Sequence, residues 1–210
     1  MFDKLKFANS EFEKYKQLKG EYLHKQIYDV LLEINKENVL YSDLSSIIRY
    51  DKSLRDKLYI YLATLEEFLK AEIFRKYDVD NQDTIYKDKK VKFLINNAKA
   101  KTNNSESNLY YCFELCLGGM ITFIKEKQMY DNEYISCLEK VRELRNKVMH
   151  HNLIVFGREK SIDRVMENLC DVKKMIQSLM YCLPDDYKKG FLKSINDLVC
   201  DVNVFKIVLE

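Results

Sequence analysis

Turn chemistry is scarce in this chain. Among 210 residues there are one proline, Pro184, five glycines and no tryptophan. With Lys, Glu, Leu and Ile abundant instead, that composition favours helices joined by short connections. Long apolar runs are also missing. No stretch approaches the roughly 18 consecutive apolar residues of a membrane-spanning helix, and the opening MFDKLKFANSEFEKYK lacks an apolar core of signal-peptide length. Neither sign of charge dominates. A balance of 35 Lys and Arg against 33 Asp and Glu, net +2, neither favours nor excludes nucleic acid by itself. Metal-site spacing is absent too, with no CxxC and no Cys–His cluster at zinc spacing. The closest cysteines, Cys112 and Cys116, are i,i+4 on an expected helix. The six cysteines read as buried free thiols in a reducing cytoplasm, so a cytoplasmic protein with no metal, cofactor or membrane partner is expected. No internal repeat, low-complexity segment, glycine-rich phosphate loop or HExxH occurs.

What is present is a globular composition, 47% hydrophobic and 32% charged, on a chain long enough to bury a sizeable core. Ser10 and Glu13 form a capping-box pattern, predicting a first helix to about Lys36. Leu23, Ile27, Val30, Leu31 and Ile34 give it an apolar stripe, with His24 at the stripe's edge or on the surface. Ser42 caps a short helix near 44–49. Asp51 or Ser53 then opens a long one over about 54–77, through Leu54, Leu58, Tyr61, Leu62, Leu65, Phe68, Leu69, Glu72 and Ile73. Residues 84–101 read as one or two further helices carrying Lys87, Lys89, Lys90 and Lys92, either a solvated face or a surface that attracts phosphate. A polar loop follows at 101–108. A nearly all-apolar helix over 109–128 contains Gly118 and Gly119, which either break it or let another backbone come close, and Glu114 sits in its middle, where a carboxylate needs a partner or a rim position. Helices over about 133–150 and 161–183, another from Pro184, and a β-branched tail that is a short strand or extended arm complete the chain. The expectation is one all-α domain over 1–210, with six to eight helices.

The densest chemistry lies in Glu143–Asn152, ELRNKVMHHN, which holds two of the three histidines. On an ideal wheel of 100° per residue, Cys137, Leu138, Val141, Leu144 and Val148 mark the buried arc, and Arg145 falls inside it, about 40° from Val141. A guanidinium there cannot shed its charge, so it must be paired, with Glu114 as the candidate partner, or line a cavity. Asn146 and His150 are i,i+4 and share a face. His150 lies about 140° from Arg145 on that wheel, so the two converge only if the helix distorts or a second copy supplies one of them. Histidine can take a proton from a ribose 2′-hydroxyl or give one to a leaving 5′-oxygen. Arginine offers fixed donors to a phosphate gaining charge. Together they suffice for RNA cleavage without a metal. The bland alternative is a histidine pair placed to favour a helix C-terminus.

The pattern Arg145-Asn146-x-x-x-His150 resembles the signature of HEPN nucleases. Three ordered segments resemble the Abi-like abortive-infection family. Tyr50-Asp51-x-x-Leu54-Arg55 opens the first, LYYCFELCLGGMITFIK is the second with its central Glu114, and LRNKVMHHN is the third. They divide the chain into an N-terminal helix (1–41), a family-like core (42–152) and C-terminal helices (153–210). The departures are Met149 in place of the family's alanine, LIVFGRE in place of its Arg-Leu-Trp-Asn, and an N-terminal region without its glycine-tyrosine segment. The resemblance implies a HEPN-like helical fold, a role in prokaryotic antiphage defence or as a toxin, and RNA as substrate. It also implies a homodimer whose paired motifs face one cleft, and an antitoxin protein or RNA as a candidate partner. By carry-over Arg145 stabilises the phosphate, His150 is the acid/base and Asn146 orients either. His151 matches the family's second histidine, and His151 and Lys147 join the lysines at 87–92 as RNA-binding candidates. A non-cleaving RNA-binding module and a helical protein-interaction module of a defence or toxin–antitoxin system are the competing expectations.

Overall fold

The computed structural model describes residues 2–6, 10–35, 38–76, 93, 96, 116–150 and 153–210. The fold is all-α, with seven α-helices among the described residues. They are α1 (Ser10–Lys19), α2 (Glu21–Ile34), α3 (Tyr41–Lys76), α4 (Leu117–Glu126), α5 (Asn132–Met149), α6 (Ile162–Cys182) and α7 (Asp185–Asn196). Two short strands, β1 (Leu5–Lys6) and β2 (Val39–Leu40), pair in parallel with Leu5 opposite Val39. No described helix is long and apolar enough to cross a membrane.

Three helix boundaries differ from the sequence expectation, two of them in the N-terminal half. The single helix expected from Ser10 is broken at Gly20, whose φ of 88° lies in the left-handed region that glycine alone enters at no steric cost. Conversely, the break expected near Asp51 is absent, and α3 runs unbroken for 36 residues. Its buried positions Leu44, Ile47, Asp51, Leu54, Leu58, Leu62, Leu65, Leu69 and Ile73 recur at intervals of three and four, so one stripe carries the whole helix into the core. No proline or glycine interrupts it. Asp51 does not cap a helix; it is the charged member of the buried stripe.

The most extensive helix–helix contact is between α5 and α6. On α5 it uses Leu138, Val141, Leu144 and Val148, and on α6 Val165, Leu169, Val172, Ile176 and Leu179. Helix α3 packs against α5, α4 and α7, while α2 covers α3 and α6. The helix expected over 109–128 is not continuous: Cys116 is extended, with ψ 163°, and α4 starts at Leu117, so the glycines lie inside its first turn; a Cβ at Gly118 would meet Cδ of Arg142 at 3.6 Å, an ordinary contact. Ser161 precedes α6 as expected, yet the Ile162 N–H is satisfied by Glu33 of α2 at 2.7 Å.

The tail is an extended arm preceded by one 3-10 turn, Asn203–Phe205. Phe205, Ile207 and Leu209 are buried while Val204 and Val208 are exposed, the alternation of a strand. Asn196 receives the Leu209 N–H at 2.8 Å and donates back to its carbonyl at 2.9 Å, and the Ile207 N–H donates to the Tyr50 hydroxyl at 2.8 Å. The expected helix at 84–101, the polar loop, Cys112 and the first part of the 109–128 segment lie outside the described residues. The described cysteines, Cys116, Cys137, Cys170, Cys182 and Cys200, are free thiols, of which Cys116 and Cys170 are exposed.

Candidate functional site

Helix α5 begins on Asp131, whose carboxylate accepts the Tyr134 N–H at 2.8 Å, a side-chain cap that satisfies one of the open N-terminal donors. It ends at Met149, and His150 is the C-cap residue, its N–H donating to the Asn146 carbonyl at 3.2 Å. The motif therefore occupies the last turn and a half of α5. Leu144 and Val148 are buried, whereas Asn146 and His150 are exposed.

Arg145 lies between these faces. Its side chain is 34% exposed, and its Nε is buried without a hydrogen-bond partner. The nearest carboxylate oxygen is Oε1 of Glu66, on α3, at 3.7 Å, which is an ion pair too long to be a hydrogen bond. The guanidinium is thus partly desolvated, loosely paired and still open on one side. Glu66 went unnoticed in the sequence reading, although it adjoins the fully buried Leu65. Glu114, the partner expected from sequence, lies outside the described residues, as do His151, Lys87, Lys89, Lys90 and Lys92. Arg145 and His150 are five residues apart, about 7.5 Å of helix rise. The structure brings Asn146 and His150 to solvent and turns Arg145 toward α3. Lys147 is held by α6, its ammonium donating to Asn168 Oδ1 at 3.2 Å, which leaves its other donor positions available.

Immediately after the motif the chain dives into the core. Leu153, Ile154, Val155 and Phe156 are all buried, and buried backbone must find partners. Three polar side chains supply them. Asp51 Oδ1 accepts the Val155 N–H at 3.0 Å. Asn168 donates to the carbonyls of Ile154 at 2.8 Å and Val155 at 2.7 Å. Gln26 donates to the carbonyls of Gly157 and Glu159, at 3.3 and 2.6 Å. Asp51 is fully buried, and its other oxygen receives Arg55 Nε at 3.0 Å. Burial pushes the Asp51 carboxyl above its ordinary range, against the Val155 N–H and Arg55, which pull it down. Burial likewise pushes the neighbouring Tyr50 up to about 12. Gly157 turns the chain back out with a φ of 58°, and a Cβ there would lie 3.2 Å from Asn168 Oδ1. The residues that fix the linker after the motif helix are therefore Asp51, Asn168 and Gln26. Of these, Asp51 alone stands out in the sequence, and there it reads as a candidate helix cap.

No protein-family model matches this chain, and no curated protein or solved structure matches it significantly. Among the described residues no group of three or more His, Cys, Asp or Glu is placed to hold a metal ion.

Proposed function

We propose that the protein is a metal-independent endoribonuclease whose working groups are Arg145, Asn146 and His150, assembled across a homodimer. The observation that carries the reading is Arg145, a guanidinium half withdrawn from water with an unmatched Nε and a carboxylate at 3.7 Å, on a helix that ends in an exposed imidazole. A phosphate would satisfy that guanidinium better than Glu66 does, because the guanidinium fork matches two phosphate oxygens. His150 of one copy accepts the 2′-hydroxyl proton. The 2′-oxygen attacks the adjacent phosphorus, and the P–O5′ bond breaks. The 5′-oxygen leaves with the proton that the His150 imidazolium returns, and the strand ends in a 2′,3′-cyclic phosphate. Arg145 neutralises the charge that builds on the phosphoryl oxygens, and Asn146, one turn before His150, orients the phosphate. The resemblance of LRNKVMHHN to Abi-like proteins supports a setting in prokaryotic antiphage defence or toxin activity, with an antitoxin protein or RNA restraining it. His151, Lys147 and the lysines at 87–92 would add contacts to the RNA backbone.

The test is cleavage of total RNA with EDTA present. Wild-type protein cuts and leaves cyclic phosphate ends, while Arg145→Ala and His150→Ala each lose at least about a hundredfold in rate with unchanged helical signal. Cleavage that survives both substitutions overturns the site assignment. Salt-sensitive RNA binding without cleavage identifies a holding module instead, and no RNA affinity at all leaves a protein-interaction module.

A further inference from the structure

A cleft of about 1130 Å³ opens between α1, the start of α2, the early turns of α3 and the 153–158 linker, and none of Arg145, Asn146 and His150 lines it. That is above the range of about 300–1,000 Å³ usual for small-ligand pockets. Its lip is apolar. Leu18 and Tyr22 are 66% and 64% exposed, and Tyr15 joins them on the lining. Leu23, Ile48 and Leu153 carry the apolar lining inward to the core. Aliphatic and aromatic side chains left this open to water around one concavity mark a surface that another protein covers. His24 is fully buried, not at its stripe's edge or on the surface as expected, with its ring in a T-shaped contact with Phe12.

The charges around the cleft are one-sided. Lys19, Arg49, Lys52 and Arg158 line it and are exposed, and none of the four forms an ion pair among the described residues. Arg55 also reaches it but is committed to Asp51, and Asp56 is the carboxylate on the lining. Lys14 and Lys160 flank the lip, with Nζ 6.0 and 5.9 Å from the ring centroids of Tyr15 and Tyr22. A concave surface with this balance draws an acidic partner and repels a basic one. The partner must also satisfy its own backbone. The walls are helices, whose interior N–H and C=O groups bond within each helix. In the linker, Asp51, Asn168 and Gln26 already hold the Val155 N–H and the carbonyls of Ile154, Val155 and Gly157. The lining therefore offers no edge to an extended strand, whereas a helix arrives with its main chain already bonded. A bilayer is too flat to follow a concave floor, and a phosphodiester backbone leaves the aliphatic lining unmatched.

We propose that this cleft docks an acidic amphipathic helix of a partner protein. Its apolar side chains lie against Leu18, Tyr22 and the lining of Leu23, Ile48 and Leu153, and its carboxylates face Lys19, Arg49, Lys52 and Arg158. The docking is independent of RNA cleavage, because the cleft uses no residue of the motif helix.

Selection on the immobilised full chain from a phage-displayed library of random peptides, long enough for several helical turns, tests it. Enriched sequences carry Asp or Glu together with apolar residues at i, i+3, i+4 and i+7. A synthetic copy of the most enriched sequence gains helical circular dichroism on binding. Replacing its Glu and Asp by Gln and Asn lowers the affinity about tenfold or more, a change that leaves the protein untouched. The double variant Arg49→Glu/Lys52→Glu, two exposed positions on α3, lowers it as much while its unliganded Tm stays at the wild-type value. Leu18→Ala weakens the same peptide about tenfold. Arg145→Ala binds it as wild type does, which separates this cleft from the cleavage site. No enrichment, or enrichment without an acidic bias, overturns the proposal. So does equal affinity of the selected peptide for the double variant. Binding of single-stranded RNA or of phosphatidylserine vesicles that falls about tenfold in that double variant also overturns it, by giving the cleft to nucleic acid or to membrane.

Discussion

Asp51 is where one side chain decides most. It is fully buried, it accepts a backbone N–H from 104 residues away, and Arg55 is its counter-ion. Replacing it with alanine orphans both the Val155 N–H and the Arg55 guanidinium. Asp51→Ala should therefore cost about 3–5 kcal/mol in urea unfolding. Asp51→Asn retains an acceptor for Val155 and should cost clearly less. The sign of the pH effect follows from the raised pKa. The folded state holds the Asp51 proton more tightly than the unfolded chain does, so this group's ionisation is carried at a cost at neutral pH. That cost is relieved as pH falls through the folded value toward the ordinary carboxylate range, and the Asn variant should lose this component. Tyr50 acts at the other end of the scale. Its pKa is pushed up to about 12 by burial, so its contribution is complete below the ordinary tyrosine value near 10 and fades as pH rises toward 12. Tyr50→Phe should flatten that alkaline loss in unfolding curves and cost about 1 kcal/mol at neutral pH for the lost Ile207 bond. In the sequence Asp51 reads as a candidate helix cap. A carboxylate near a helix start is more often a cap than a buried anchor, and the anchoring partner lies over a hundred residues downstream, beyond any local pattern.

Among the elements, strong periodicity was readable and tertiary exceptions were not. The stripes of α5 and of α3 beyond Leu54 follow from spacing alone, and the starts of α6 and α7 were legible at Ser161 and Pro184. The split between α1 and α2 rests on one glycine with positive φ, and glycine inside a helical pattern announces a break only when the backbone turns there. The linker after the motif was the least legible part. LIVFGR reads as an ordinary apolar segment, and nothing local says that Asn168 and Gln26 will cap its carbonyls. Two substitutions test that linker. Gly157→Ala forces a Cβ into the left-handed region and against Asn168, and should lower stability by about 1–2 kcal/mol. Asn168→Ala removes both carbonyl bonds and the hold on Lys147, and should cost about 2 kcal/mol. In both, hydrogen exchange should quicken at 153–157 before it does in α6, because the linker loses its fixings first.

For the whole molecule, the sequence conveyed an all-helical domain and placed the candidate site on one helix end. The helical wheel already sets Arg145 about 140° from His150, and the structure keeps them apart; what the sequence could not convey is that Glu66 of α3 is the carboxylate beside Arg145. The separation of Arg145 from His150 makes the proposed dimer testable by complementation. Sedimentation should give twice the 25.1 kDa chain mass. Mixing Arg145→Ala and His150→Ala protomers should then restore about a quarter of wild-type cleavage, because half of the dimers are mixed and each has one intact site. Restoration fails if each copy works with its own arginine and histidine.

The arm at residues 197–209 has a consequence for the order of folding. The Ile207 N–H reaches Tyr50 across 157 residues, and the Asp201 N–H reaches Ser46 across 155. These bonds close one flank of α3 by joining chain segments that are remote in sequence. Such contacts come late compared with the local turns of α3 itself, so that flank is the last part of the helix to be covered.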